Sequence, residues 1–422
     1  NMPAFQNGVM PPVRAVLPPL AAVKVEDACP GELVDLSPVP AIRNPRYVFF
    51  AEAGKVRLVA RQVVGKEAGN PPLKPFTVQR MDKTGLVGEP ISLSLPGLEP
   101  TAIDFDVPVR GFYALALPQM RGQFLLEKSS VPIALDATQK QNMIKVVDGR
   151  PVSMTFASTG HPFQILGVGN SYDSFVFRLT DPSGKVVLEQ ETGDDTVSVR
   201  MPDGNLPGFW KVEAAKGKAG HYASVFIDVF GTGGYLFLSE AKRWRTVCDE
   251  VKVSDFGYDP VDATRFIQAA LDSGAKRIVL DRQAGPWNTL TVYQRSNTEL
   301  VVEPGVELVA KRGAFKGLRD FLYVVDAVEN VRIRGGEGSA FRMWKQDYQG
   351  PDYEHGEWRY ALRLHGCTNA VVEGLRICSS GGDGIGVSGK DITIRKCVCD
   401  DNHRQGISVF NVDGLLIEDT VM

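Results

Sequence analysis

Between Trp344 and Arg404 the chain gathers side chains able to hold and cleave a sugar: carboxylates (Glu354, Glu357, Asp383, Asp400, Asp401), guanidinia (Arg359, Arg404) and aromatics (Trp344, Tyr348, Tyr353, Trp358, Tyr360). Two of the chain's five histidines, His355 and His403, are among them. Glycoside hydrolysis needs one protonated and one ionised carboxyl group about 5–9.5 Å apart, and clustered acids offer that because like charges drive their pKa values apart. Asp383, Asp400 and Asp401 are the candidate acid and base, His403 and Arg404 would orient substrate, and Trp358 would stack on it. Elimination or epimerisation at a uronate needs instead a cation or metal on the carboxyl group and a base for the neighbouring proton. Arg404 or Arg359 with His403 or Tyr360 could fill those roles. Trp344, Tyr353, His355, Glu357, Trp358, Arg359 and Tyr360 form the candidate substrate wall, since a long loop rich in Trp, Tyr and His offers flat faces to a sugar ring.

Plainer readings stand beside these. Asp383 before Gly384 also reads as a turn residue, and Asp400 to Asn402 as a solvated polar turn. Arg363 and His365 alternate along one strand and therefore project from one face, with His365 the weaker candidate.

A repeat must position these groups. Asn369 to Ile377, Asp391 to Cys399 and Gly414 to Met422 align with Val372, Ile394 and Ile417 in one column, at separations of 22 (394 − 372) and 23 (417 − 394). A second column, Tyr360 to Leu364, Asp383 to Val387 and Gln405 to Val409, keeps the same phase. One coil per period cannot bury its inward face alone, so coils stack with parallel strands about 4.8 Å apart and a solenoid results. Stacking sets Tyr360 over Asp383 and Gln405, Arg359 over Gly382 and Arg404, and Trp358 over Gly381 and His403. Three joining loops then share a flank: a long insertion from Arg334 to Arg359, the turn Cys378 to Gly382, and the turn Asp400 to Arg404. Asn330 to Gly335 and Glu299 to Glu303 read as earlier coils.

Upstream, Gly and Pro punctuate short strands in two stretches with a shared pattern. From turn glycine to Gly-Phe-aromatic is 26 residues (111 − 85) in the first and 24 (208 − 184) in the second. Two β-sandwich modules are expected over 1–137 and 138–240, with the solenoid over 241–422. Tyr113 and Trp210 are either sugar-stacking faces of these modules or core aromatics. Glu240 to Cys248 reads as a linker or short helix. One amphipathic helix is expected from Asp259-Pro260, with Phe266, Ile267, Ala270 and Leu271 on one face and Gly274 as its stop. It would cover the open strand edges at the N-terminal end of the stack.

The chain of 422 residues carries 47 basic and 50 acidic side chains, which gives no global field for phosphate backbones, so nucleic acid is not an expected partner. No run approaches the roughly 20 apolar residues of a membrane span. Six cysteines at these spacings form neither a disulfide framework nor a zinc ribbon and read as reduced thiols. The chain opens Asn-Met with no basic and apolar leader, so export is not legible in it. It stops at Met422 inside a strand-like repeat, so a longer helix, or a cap from elsewhere, is expected.

From Val253-Ser254-Asp255-Phe256-Gly257 through Phe266-Ile267-Gln268-Ala269-Ala270 to the Gly-Asp-Gly-Ile coil, with Asn330-Val331-Arg332-Ile333-Arg334-Gly335 between, the sequence resembles the right-handed parallel β-helix proteins of the pectin-lyase-like superfamily. That superfamily includes polygalacturonases, pectate lyases, and alginate lyases and epimerases. The resemblance implies a right-handed parallel β-helix, which with the readings above gives an all-β chain: two β-sandwich-like modules ahead of the β-helix, one α-helix capping its N-terminal end. It further implies a secreted or periplasmic protein acting on a polysaccharide or oligosaccharide. No cofactor is expected for a hydrolase, and Ca2+ enters only on the lyase route. A non-catalytic glycan-binding or surface protein is the third reading, because fold alone does not give function. The family motifs depart here: Gly382-Asp383-Gly384 keeps the first Asp of the polygalacturonase pattern, but one coil on stands Arg404-Gln405, and the family's Gly-His-Gly and the epimerases' Asp-Pro-His are missing.

Overall fold

The computed structural model describes residues 15–39, 46–63, 76–93, 98–116, 123–137, 143–146, 151–169, 174–192, 196–218 and 223–422. Its regular structure among the described residues is nearly all strand, with α-helices at Val253–Phe256 and Thr264–Leu271. It divides into two compact units, 1–246 and 247–422.

The first unit is antiparallel. Among the described residues, the strands from Val34–Asp35 to Ile133–Asp136 and those from Met143–Val146 to Tyr235–Phe237 follow the same order with the same partners. Each set contributes a four-stranded sheet, and the remaining strands merge into one ten-stranded sheet. The seam is a short antiparallel pairing in which Leu135 faces Leu236. One hydrophobic core runs through both sets, from Tyr47 and Phe49 to Phe177 and Trp210. Local chemistry repeats as well: Asp82 Oδ1 accepts from the Thr84 N–H at 2.7 Å and Asp181 Oδ1 from the Ser183 N–H at 2.9 Å. The Tyr113 hydroxyl donates to the Val109 carbonyl at 2.6 Å and the Trp210 indole N–H to the Leu206 carbonyl at 2.9 Å. Both rings are buried, so they are core aromatics with a satisfied polar tip and offer no face to a sugar. The junction expected at 137/138 borders residues 138–142, which lie outside the described residues. Glu240 to Cys248 differs from a linker or helix: Lys242–Thr246 is a strand paired antiparallel with Val23–Asp27. It is fixed there by the buried Lys242 ammonium, which donates to both Asp27 carboxylate oxygens at 2.7 and 2.6 Å.

The second unit is a parallel coil stack with three faces. One face runs through Glu299–Val302, Glu329–Gly335 and the later part of Leu362–Glu373; the next holds Ala340–Arg342, Arg376–Cys378 and Val398–Asp400. The last holds Tyr323–Asp326 and the early parts of Leu362–Glu373, Ile385–Arg395 and Ile407–Glu418. Val372, Ile394 and Ile417 stand in register, and Val372 and Ile394 are buried, each contributing about 1.5–3 kcal/mol. Coil corners take left-handed backbone at Asn297, Asn330, Asn369 and Asp391. The first three form an amide ladder, Asn330 donating to Asn297 at 2.9 Å and Asn369 to Asn330 at 2.8 Å.

The amphipathic helix starts later than Asp259-Pro260, because Asp259 Oδ1 turns back to the Val261 N–H at 2.8 Å and Asp262 Oδ1 takes the Thr264 N–H at 3.1 Å. Gly274, at φ 83°, follows its end. Val292–Tyr293 is the edge strand of its face. Gln268 answers that edge: its amide donates to the Tyr293 carbonyl at 3.1 Å and accepts from the Tyr293 N–H at 2.9 Å. A side chain thereby takes the place of a missing strand.

Candidate functional site

The parallel register places Tyr360, Asp383 and Gln405 one above another, as Leu362 pairs with Ile385 and Ile385 with Ile407. Asp383 is 0% exposed. One carboxylate oxygen accepts from the Ser408 hydroxyl at 2.6 Å, and the other accepts from the Gln405 N–H at 3.2 Å and lies 4.0 Å from Arg404 Nε. A carboxylate so sealed cannot touch a substrate; it positions Arg404. The outer end of that guanidinium donates to Glu357, whose side chain is 62% exposed. Arg404 thus spans a buried and a surface carboxylate.

Tyr360 lies beside this bridge, its phenol pushed up to about 12 by burial and, after that, by Asp383. Its ring rests on Gly386: a Cβ there would come 2.5 Å from the ring edge, so only glycine leaves room. Phe321 follows, ring centroid 5.5 Å from Tyr360, and Arg363 sits 4.7 Å over Phe321. Arg363 and His365 project together as expected, and both meet Asp326, at 3.6 and 2.8 Å. Asp326 was not among the sequence candidates. Its signal was the strand register opposite His365, hidden because this coil is far longer than the period of the last ones.

Other candidates go elsewhere. Asp400 is held bidentately by Arg376, at 2.9 and 2.7 Å, which keeps its carboxyl below the usual range. Asp401 accepts from Lys345 at 2.8 Å and Ser379 at 2.9 Å and is likewise lowered, first by Lys345. Through these contacts Asp400 and Asp401 tie neighbouring coils together. His403 Nδ1 accepts from the Gln349 amide at 3.2 Å.

The insertion begins after the strand Ala340–Arg342, later than Arg334. Arg359 is its internal anchor rather than a substrate residue. At 1% exposure its guanidinium donates to the Gly317 and Glu354 carbonyls at 2.8 Å each and stacks 4.7 Å over Tyr348. Tyr353 packs edge-on against Tyr348 at 5.3 Å. Trp344 donates to the Ala310 carbonyl at 2.6 Å, with Arg312 and Arg342 at 4.7 and 4.8 Å from its ring. Of the expected wall, His355, Glu357 and Trp358 are exposed, Trp358 with Arg319 4.3 Å over its ring. Among the described residues no cluster of three or more His, Cys, Asp or Glu could hold a metal ion, and no helix is long and apolar enough to cross a membrane.

Residues 352–421, the coils just described, match the family described as "Right handed beta helix region". The C-terminal unit is a right-handed β-helix. The chain is 28% identical over 214 residues to the SPbeta prophage-derived uncharacterized protein YorA of Bacillus subtilis, an alignment covering 43% of this chain and 36% of that protein. This chain thus spans about a third of that relative's length. Solved structures similar to the β-helix chain include a putative glycosyl hydrolase from Parabacteroides merdae, at 16% identity and TM-score 0.31, covering 41% of this chain and 95% of that one. An iota-carrageenase from A. fortis aligns at 16% identity and TM-score 0.34 over 40% of this chain and 42% of its own. An alpha-1,3-glucanase from Streptomyces thermodiastaticus aligns at 14% identity and TM-score 0.22 over 66% and 62%.

Proposed function

We propose that the chain is a polysaccharide-degrading enzyme, a glycoside hydrolase, working on the outer face of its β-helix at Trp358, Arg404 and Glu357. The observation that carries this reading is the Arg404 bridge: a surface carboxylate is held by a guanidinium that itself lies 4.0 Å from buried Asp383. Such an arrangement preorganises Glu357 next to the exposed ring of Trp358, where a sugar ring can stack, while Tyr360 is buried behind it as support. Glu357 takes a proton from the water that attacks the anomeric carbon, while Trp358 supports the ring. A secreted or periplasmic location goes with such a substrate.

A lyase or epimerase is the second reading. Arg363 and Arg404 both act on the charge felt by Tyr360, and two guanidinia flanking a phenol suit a uronate carboxyl group that must be neutralised before its neighbouring proton is removed. Calcium would enter only on that route.

A panel of uronate, sulfated and neutral glycans incubated with the protein decides. New reducing ends without an unsaturated-sugar absorbance support hydrolysis. Ends accompanied by that absorbance overturn it in favour of elimination. Binding with no product overturns both and leaves a glycan-binding protein. Glu357→Gln should remove the hydrolytic product while binding persists.

A further inference from the structure

Three pieces of chain make the surface around Glu357 and Trp358: the insertion 344–360, the turn 400–405 and the segment 311–320. Lys345 on Asp401 at 2.8 Å, Gln349 on His403 at 3.2 Å and Arg404 on Glu357 tie the insertion to the turn. The Glu354 N–H, donating to the Lys316 carbonyl at 2.9 Å, and Arg359, donating to the Gly317 carbonyl, tie it to the segment. Together the three carry seven basic and seven acidic side chains, so with neutral histidines the surface has no net charge.

The charges are also closed locally. Arg404 is occupied by Glu357 and Lys345 by Asp401, while Arg312 holds Asp347 bidentately at 2.7 and 2.9 Å and Lys311 reaches Asp262 at 2.8 Å. Lys316 and Arg319 stand over aromatic rings, 5.9 Å from Tyr353 and 4.3 Å from Trp358. On the backbone between these two cations a pair of carboxylates is fixed. Asp320 Oδ2 accepts from the Gly317 N–H at 2.6 Å and Glu354 Oε2 from the Leu318 N–H at 3.1 Å.

We infer that the glycan taken here is uncharged, a polymer of neutral sugars and not of uronates or sulfated sugars, an inference that rests on the hydrolytic reading above. A polyanion is gathered by a field of one sign and held by cations open to its groups. On this surface an arriving carboxylate or sulfate competes with carboxylates already in place and meets Glu357 as a like charge. A neutral sugar meets no such opposition. Its C–H face can lie on the exposed indole of Trp358. Its hydroxyl groups both donate and accept, and the Arg404–Glu357 pair sets N–H donors beside carboxylate acceptors in one place.

The test sets chemically matched glycans before the full chain: a uronate polymer and its carboxyl-reduced form, and a sulfated glycan and its desulfated form, with neutral glucans and mannans beside them. Reducing ends and unsaturated-sugar absorbance are both followed. Cleavage should be confined to neutral glycans, or favour the neutral member of a pair by about tenfold or more in kcat/KM. With no long-range attraction to screen, kcat/KM on the neutral glycan should change less than about twofold between about 0.02 and 0.5 M NaCl. Equal or faster cleavage of the charged member, or a fall of about tenfold across that salt range, overturns the neutral class and leaves hydrolysis standing. Unsaturated ends, or no ends from any glycan, overturn the hydrolase reading and this one with it.

Discussion

The ring of Tyr360 lies against the Cα of Gly386, one coil further along the β-helix, close enough that a Cβ at 386 would sit 2.5 Å from it. Gly386 pairs with Arg363 on one side and Ser408 on the other, so the outer column thins to a bare backbone where the aromatic ring must lie. Gly386→Ala should therefore push Tyr360 outward, costing about 1–3 kcal/mol of stability by overpacking and lowering glycan cleavage further than the stability loss explains. Denaturant melts and turnover on the same preparation check this.

Asp383 supports Arg404 from below. Asp383→Ala strands the Gln405 N–H and leaves the Ser408 hydroxyl only Gln405 Oε1, 2.7 Å away, and the loss should be about 1–3 kcal/mol together with a loosened Arg404. Ser408→Ala removes one of the two hydrogen bonds and should show a smaller share of the same defect. Chemical denaturation of both variants ranks them; equal stability of Asp383→Ala and the parent would remove Asp383 from its supporting role.

Acid should act through Asp400 and Asp401. Both carboxyls are lowered in the folded chain, Asp400 first by Arg376 and Asp401 first by Lys345. A depressed carboxyl stabilises the fold at pH values above its unfolded pKa of about 4 and loses that contribution as pH falls through the folded value. The coil contacts of Val398–Asp400 should weaken in that window. Asp400→Asn should flatten the acid limb of stability against pH, with little further change at neutral pH because the pair faces solvent.

Alkali should act through Tyr360. Its phenol is pushed up to about 12, mainly by burial. A raised pKa means the neutral form is favoured in the fold, so that contribution is complete below about pH 10 and disappears as pH climbs through the folded value. Tyr360→Phe keeps the ring on Gly386 and should remove this alkaline dependence, and Tyr360→Ala should lose that packing and lower stability at every pH. Stability curves to high pH separate the two.

The column Val372, Ile394, Ile417 was readable because each inward side chain recurs at one fixed step, and the same step put Tyr360 on Asp383 on Gln405. What those groups do with their polar atoms was not readable. Asp383 takes its hydrogen bond from Ser408, on the next coil and 25 residues away in sequence. Asp400 chose Arg376 across the neighbouring strand, a pairing that the shared-flank reasoning could not distinguish from a contact with Asp383. Asp326 escaped because it and His365 are 39 residues apart, the long insertion between them having broken the step. Arg359 reads as a free cation at the mouth of a loop; only the path of that loop over Gly317 and Glu354 turns it inward.

The seam between the two sets of strands in the first unit is nearly self-complementary, since Ala134, Leu135 and Asp136 face Phe237, Leu236 and Tyr235 in opposite directions. Severing the chain there would bare two matching edges rather than two finished modules. Either half produced alone would offer its edge to a twin, and would come out as a swapped homodimer or an aggregate sooner than as a stable monomer.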